Sequence, residues 1–105
     1  MTEAAIKDKI MKFLRTIPRG FAFKVHGSPM QMAGMPDILF WCWLFPKAGM
    51  PDRLAFAFEV KRPGEKPTRL QTLRMEELAH AGVCTHVVTS VDDVRKFLAD
   101  AGVSL

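Results

Sequence analysis

Cysteine is scarce in this chain of 105 residues, and its two, Cys42 and Cys84, lie inside apolar runs without the close spacing of a zinc site. They read as reduced core thiols, so a disulfide- or zinc-stapled mini-domain is excluded. Long hydrophobic runs are missing too. The longest, Ile38 to Phe45, has eight residues where a bilayer span takes about 20, and no apolar signal region opens the sequence. Membrane and secretion readings fall away, and a cytoplasmic setting is expected. There is no internal repeat or low-complexity tract, and Gly64 is too isolated for a phosphate-binding loop. No Ser or Cys has the elbow or paired-base setting of a covalent catalyst.

What remains suits a single domain spanning residues 1–105, with 49% hydrophobic and 25% charged residues. A chain of this size buries somewhat more than ~60% of its unfolded surface, enough for a core without staples. The net charge of +4 is unevenly spread: residues 1–24 and 61–74 each carry +4, residues 25–60 carry −1, and residues 75–105 carry −3. Clustered Lys and Arg gain affinity for phosphates by releasing counterions, so a polyanionic partner is one reading and a solvated basic face the other. In the second segment Arg62, Lys66, Arg69 and Arg74 are the candidate phosphate contacts.

Periodicity and punctuation give the element order αβββαβα, a mixed sheet flanked by helices. Thr2 caps a helix to about Thr16 with Ile6, Ile10, Phe13, Leu14 and Ile17 inward, and Pro18 and Gly20 stop it. Strands are expected at Phe21–His26, Asp37–Leu44, Leu54–Lys61 and Val83–Thr89. A Gly-, Pro- and Met-rich loop joins the first two, and residues 45–53 make a hairpin connection. Thr68 caps a helix to about Ala81, ended by Gly82, with Leu70, Leu73, Glu77, Leu78 and Ala81 at helical spacing. Ser90 caps a last helix, Val91–Ala101, with Val94, Phe97 and Leu98 inward.

Three charges look misplaced in this frame. A hairpin closed near Leu44 and Leu54 puts Asp37 opposite Lys61 with Glu59 as the diagonal neighbour of Asp37, and Glu59 and Lys61 share a face in any register. Their neighbours are Ile38, Leu39, Phe40, Phe56 and Phe58, where charges enter only if paired or metal-bound, at several kcal/mol per ion. A strand-end ion pair and a chemical site are both open readings. Glu3 lies within about 20° of Ile10 and Leu14 around its helix, at about 100° per residue, so it sits on the apolar stripe. It is either a first-turn acid favoured by the helix dipole or a site residue. Gln71, one turn into the second helix, is either a surface residue or a site residue.

Gly34-Met35-Pro36-Asp37 opening one strand, Glu59-Val60-Lys61-Arg62-Pro63 closing the next, and Gln71 on the following helix resemble the VRR-NUC nucleases of the PD-(D/E)xK superfamily. The likeness runs from Glu3 to about Ser90 and implies a restriction-endonuclease-like αβββαβ core, plus a C-terminal helix. It implies a divalent-metal-dependent phosphodiesterase in which Asp37, Glu59 and the Val60 carbonyl hold Mg²⁺ or Mn²⁺. Lys61 would position and help activate the attacking water, and Gln71 and Glu3 would complete the site. Oxygen donors suit those ions, which lower the pKa of bound water and stabilise charge on the phosphate. Glu3 departs from the family pattern in lying only two residues from the start. Stand-alone members are typically viral or bacterial, which implies a bacterial or host-cell cytoplasm. They are thought to act as homodimers on branched DNA such as four-way (Holliday) junctions.

Two other functions compete with a nuclease. One is a non-catalytic nucleic-acid-binding module with a structural acidic cluster. The other is an interaction domain whose Trp41, Trp43 and Phe45 form a partner surface, compatible with a catalytic dimer unless these rings simply fill the core. His26, His80 and His86 are too scattered for a metal site, though the strand His26 ends leads into the loop before Asp37. Met30, Met32 and Met35 are either a flap over the site or a loose loop.

Overall fold

A computed structural model describes residues 1–27, 32–44, 49 and 52–105. The helix α1 (Glu3–Leu14) leads to β1 (Gly20–Lys24), β2 (Ile38–Trp43) and β3 (Arg53–Val60), then α2 (Arg69–His80), β4 (Cys84–Val88) and α3 (Val91–Asp100). This is the expected α/β order. The four strands form one sheet in the order β1-β2-β3-β4, antiparallel except for the parallel β3–β4 pair. A parallel pair needs a crossover, and α2 supplies it.

One face of the sheet carries the core. Ile38, Phe40 and Cys42 alternate inward from β2 and meet Phe56 and Phe58 of β3. Ile6, Ile10 and Leu14 of α1 and Val94 and Leu98 of α3 close over them. Thr2 caps α1 through Ala5 N–H at 3.1 Å, and Ser90 caps α3 through Asp93 N–H at 3.1 Å. The α1 helix ends two residues earlier than expected, because Thr16 and Ile17 donate to Phe13 and Leu14, three residues back, in a tighter final turn.

Three details differ from the sequence reading. The β2–β3 register pairs Ile38 with Phe58 and Cys42 with Leu54, two residues away from the expected pairing. Leu44 N–H continues this register by donating to the Asp52 carbonyl. An even shift preserves which side chains share a face, so the large apolar residues stay together. Second, Trp41 and Trp43 do not fill the core: both stand about half-exposed on the opposite face, as do Phe21 and Phe23. The small Ala22 is the β1 residue turned inward, because Phe40 occupies the space beneath β1. A Cβ on Gly20 would lie only 2.6 Å from the Phe40 ring. Third, Met75 is the buried residue of α2, while Leu70 and Leu73 remain exposed. Phe45 and Met30 lie outside the described residues.

Candidate active site at the sheet end

The last β2–β3 pair is Ile38 with Phe58, so continuing the register brings Asp37 opposite Glu59 rather than Lys61. Pro36, next along, has no N–H to extend the ladder. The Asp37 carboxylate takes over instead, its Oδ2 accepting the Val60 N–H at 2.8 Å. This bond fixes Asp37 to the end of β3, where Glu59 and Lys61 emerge. The approach to Asp37 is held from α2: Arg74 Nε donates to the Ala33 carbonyl at 3.0 Å, and Gly34 lies against Leu70. A Cβ at Gly34 would meet the Leu70 side chain at 2.7 Å, and its φ of +82° independently favours glycine.

The charges then converge from three elements. Lys61 Nζ lies 3.8 Å from Glu59 Oε1 and 4.0 Å from Glu3 Oε1, so Glu3 joins the cluster through Lys61. The Asp37 counter-ion is a residue the sequence reading missed, Lys7, whose Nζ sits 3.0 Å from Asp37 Oδ1. Helical spacing held the signal, since Lys7 is four residues after Glu3 and shares its face of α1. Glu59 is only 2% exposed, and its Oε2 is buried with no hydrogen-bond partner. Burial first, then the adjacent Asp37 charge and the hydrogen bond a protonated Glu59 makes to that carboxylate, push the Glu59 carboxyl up to about 7, against the lowering effect of the Lys61 and Lys7 ammoniums.

A buried carboxylate oxygen without a donor is costly unless a cation reaches it. Among the described residues no group of three or more His, Cys, Asp and Glu side chains is arranged to hold a metal. Two carboxylates nevertheless suit Mg²⁺, which keeps several waters and is commonly held by one or two carboxylates. The donor set of Asp37 and Glu59 therefore fits a hard divalent ion.

Other expected site residues fall elsewhere. Gln71 builds the cap of α2: its Oε1 accepts the Thr68 N–H at 2.8 Å while Thr68 Oγ1 accepts the Gln71 N–H at 3.1 Å. Its carboxamide oxygen is thus committed to the helix start. Arg74 is tied to Ala33 and to Glu77, and Arg62 pairs with Glu65, while Lys66 and Arg69 are exposed. His86 is a packing residue stacked 3.8 Å from the Phe97 ring, and burial lowers its pKa. Cys42 and Cys84 are free thiols, and burial raises the pKa of Cys42. Met32 is exposed and Met35 half-buried. No described helix is long and apolar enough to cross a membrane.

No protein-family model matches the sequence, and no curated protein matches it significantly. Solved structures do. A VRR_NUC domain superposes with a TM-score of 0.67 at 21% identity, covering 92% of this chain and 94% of its own. A VRR_NUC domain protein gives 0.66 at 21% identity, covering 100% and 98%. Over nearly its whole length the chain has the fold of these VRR_NUC domains.

Proposed function

We infer that this protein is a divalent-metal-dependent endonuclease that hydrolyses DNA phosphodiester bonds. The observation that carries the reading is the unpartnered Glu59 Oε2, buried beside Asp37 at the end of a VRR_NUC-like sheet. Asp37, Glu59 and the Val60 carbonyl would hold Mg²⁺ or Mn²⁺. When bound, such an ion lowers the pKa of water and stabilises charge on the scissile phosphate. Lys61, held between Glu59 and Glu3, orients the attacking water and places a positive charge beside the reacting phosphate. Glu3 acts through Lys61 as a positioning residue. Gln71 contributes by fixing the start of α2, and Arg62, Lys66 and Arg69 lie along the basic segment available to the phosphate backbone.

The substrate we favour is branched DNA such as a four-way junction, cut by a homodimer. Resolving a junction takes two cuts, and a two-fold pair of copies brings two sites. Phe21, Phe23, Trp41 and Trp43 supply an exposed apolar face for the second copy, and a groove of about 660 Å³ runs beside them. The cytoplasm, bacterial or of a virus-infected cell, is the setting that suits this activity. A second reading is a binding module without catalysis, favoured by the internal pairing of Asp37 with Lys7.

Linear, flap and four-way-junction DNA incubated with Mg²⁺ or Mn²⁺, alongside sedimentation analysis, tests the proposal. Paired nicks in the junction by a dimer are expected, and chelator should abolish them. Binding without cleavage of any substrate by any divalent ion would establish the binding module. A monomer that nicks linear duplex as readily as junctions would overturn the dimer and the branched substrate.

A further inference from the structure

The Lys7–Asp37 pair, at 3.0 Å, is the tightest ion pair in the acidic cluster, and nothing in the nuclease reading requires it. Both oxygens of Asp37 are engaged: Oδ2 by the Val60 N–H and Oδ1 by the Lys7 ammonium. The two partners differ in what they can do. The Val60 amide belongs to the end of a strand and cannot withdraw without breaking the sheet. Lys7 sits on a flexible four-carbon stem with a side chain 23% exposed, at the solvent border of the cluster. Its backbone is anchored by Ile6 and Ile10 in the core, so only the stem has to move. A cation that takes Asp37 at Oδ1, the oxygen on the solvent side, competes with Lys7, the partner able to leave. Lys61 is less free, being 9% exposed and set between Glu59 and Glu3.

We propose that Lys7 is a stand-in cation: it neutralises Asp37 until a divalent ion takes Oδ1, and then turns outward to a phosphate oxygen of the bound nucleic acid. The inference rests on the metal-site reading. A divalent ion at contact with Oδ1 repels an ammonium held 3.0 Å from the same oxygen, so binding of the ion weakens the Lys7–Asp37 pair. The displaced ammonium remains within a side chain's length of Asp37, where a phosphate drawn to the site offers it a new partner. Lys7 thereby lowers the affinity of the free protein for the ion and becomes useful once DNA is bound.

The test is Mn²⁺ binding to the metal-free full chain without DNA, followed by paramagnetic resonance of free Mn²⁺. The wild type is compared with Lys7→Met, Lys7→Gln and Lys7→Arg, with Asp37→Asn as the site control. Lys7→Met and Lys7→Gln should bind Mn²⁺ roughly tenfold more tightly than the wild type, and Lys7→Arg about as the wild type does. The melting temperature of Lys7→Met should be lower than the wild type without Mn²⁺ and rise more on saturation, a crossing that a purely structural lysine does not produce. At saturating Mn²⁺ Lys7→Met should lose about tenfold in kcat/KM on DNA. If the wild type binds Mn²⁺ through Asp37 but both neutral variants bind it no more tightly, the stand-in role is overturned and the metal site stands. Undiminished kcat/KM in Lys7→Met would overturn the transfer to phosphate. Equal failure of the wild type and Asp37→Asn to bind Mn²⁺ would sink the metal reading itself, and the proposal with it.

Discussion

Asp37 is joined to Val60 by a 2.8 Å bond from the Val60 amide to Asp37 Oδ2, so the first acid of the cluster also terminates the β2–β3 ladder. Structure and chemistry can therefore be separated by choice of substitution. Asp37→Asn retains an oxygen for the Val60 amide and removes the charge. It should leave the melting temperature close to that of the wild type and reduce cleavage by at least ~10²-fold. Asp37→Ala also leaves the Val60 N–H and Lys7 without their acceptor, and should cost about 1–3 kcal/mol in addition. Thermal melts beside single-turnover cleavage read the two effects independently.

Glu59 gives the metal-free protein a defined pH dependence. Its folded carboxyl titrates at about 7, above the ordinary 4.5, so the folded state holds the proton more tightly than the unfolded chain does. The stabilisation is fully present below pH 4.5 and is lost as pH rises through about 7. The loss is at most a few kcal/mol, at about 1.4 kcal/mol per pH unit. Glu59→Gln should abolish this decline and make the metal-free protein more stable than the wild type at pH 8. Denaturant melts with chelator at pH 5 and pH 8 check the sign, and a wild type that gains stability between them contradicts it.

Glu3 reaches the cluster through the 4.0 Å approach to Lys61, which separates their expected effects. Lys61→Met should remove nearly all cleavage. Glu3→Gln, which keeps a hydrogen-bonding oxygen near the ammonium, should cost about tenfold, mainly in kcat and with little change in DNA affinity. Equal losses in the two variants would place Glu3 on the substrate or the ion.

Gln71 predicts a stability phenotype. Gln71→Ala removes half of the capping box and should destabilise the protein by about 1 kcal/mol, while Gln71→Glu, which also accepts the Thr68 N–H, should restore it. A loss of cleavage in Gln71→Glu as severe as in Asp37→Asn would return Gln71 to the reacting groups.

Parity brings the charged cluster together from the sequence alone. Residues two apart in a strand share a face, so Glu59 and Lys61 belonged together before any register was known, and an even shift of the hairpin left Asp37 with them. Helical angle placed Glu3 inward in the same way. What escaped was pairwise detail. The register depended on the β2–β3 connection, whose length in residues does not fix where the ladder closes. Lys7 looked like one basic residue among many, because only the packed α1 shows that its stem runs to Asp37. Thr68 and Gln71 have the residue types and spacing of a capping box, and the structure forms it. Phe21 and Phe23 face outward because Phe40 fills the space under β1, a fact that belongs to packing and not to strand periodicity.

The proposed nuclease rests on Asp37 and Glu59 as its ion site. Anomalous diffraction from crystals grown with Mn²⁺ addresses it most directly. One strong peak is expected within roughly 2.0–2.4 Å of an oxygen of Asp37 and of Glu59 Oε2, with the Lys7 ammonium withdrawn from Asp37 Oδ1. A Mn²⁺-saturated crystal with no peak there, the Lys7–Asp37 pair intact and Glu59 Oε2 still unpartnered would contradict it.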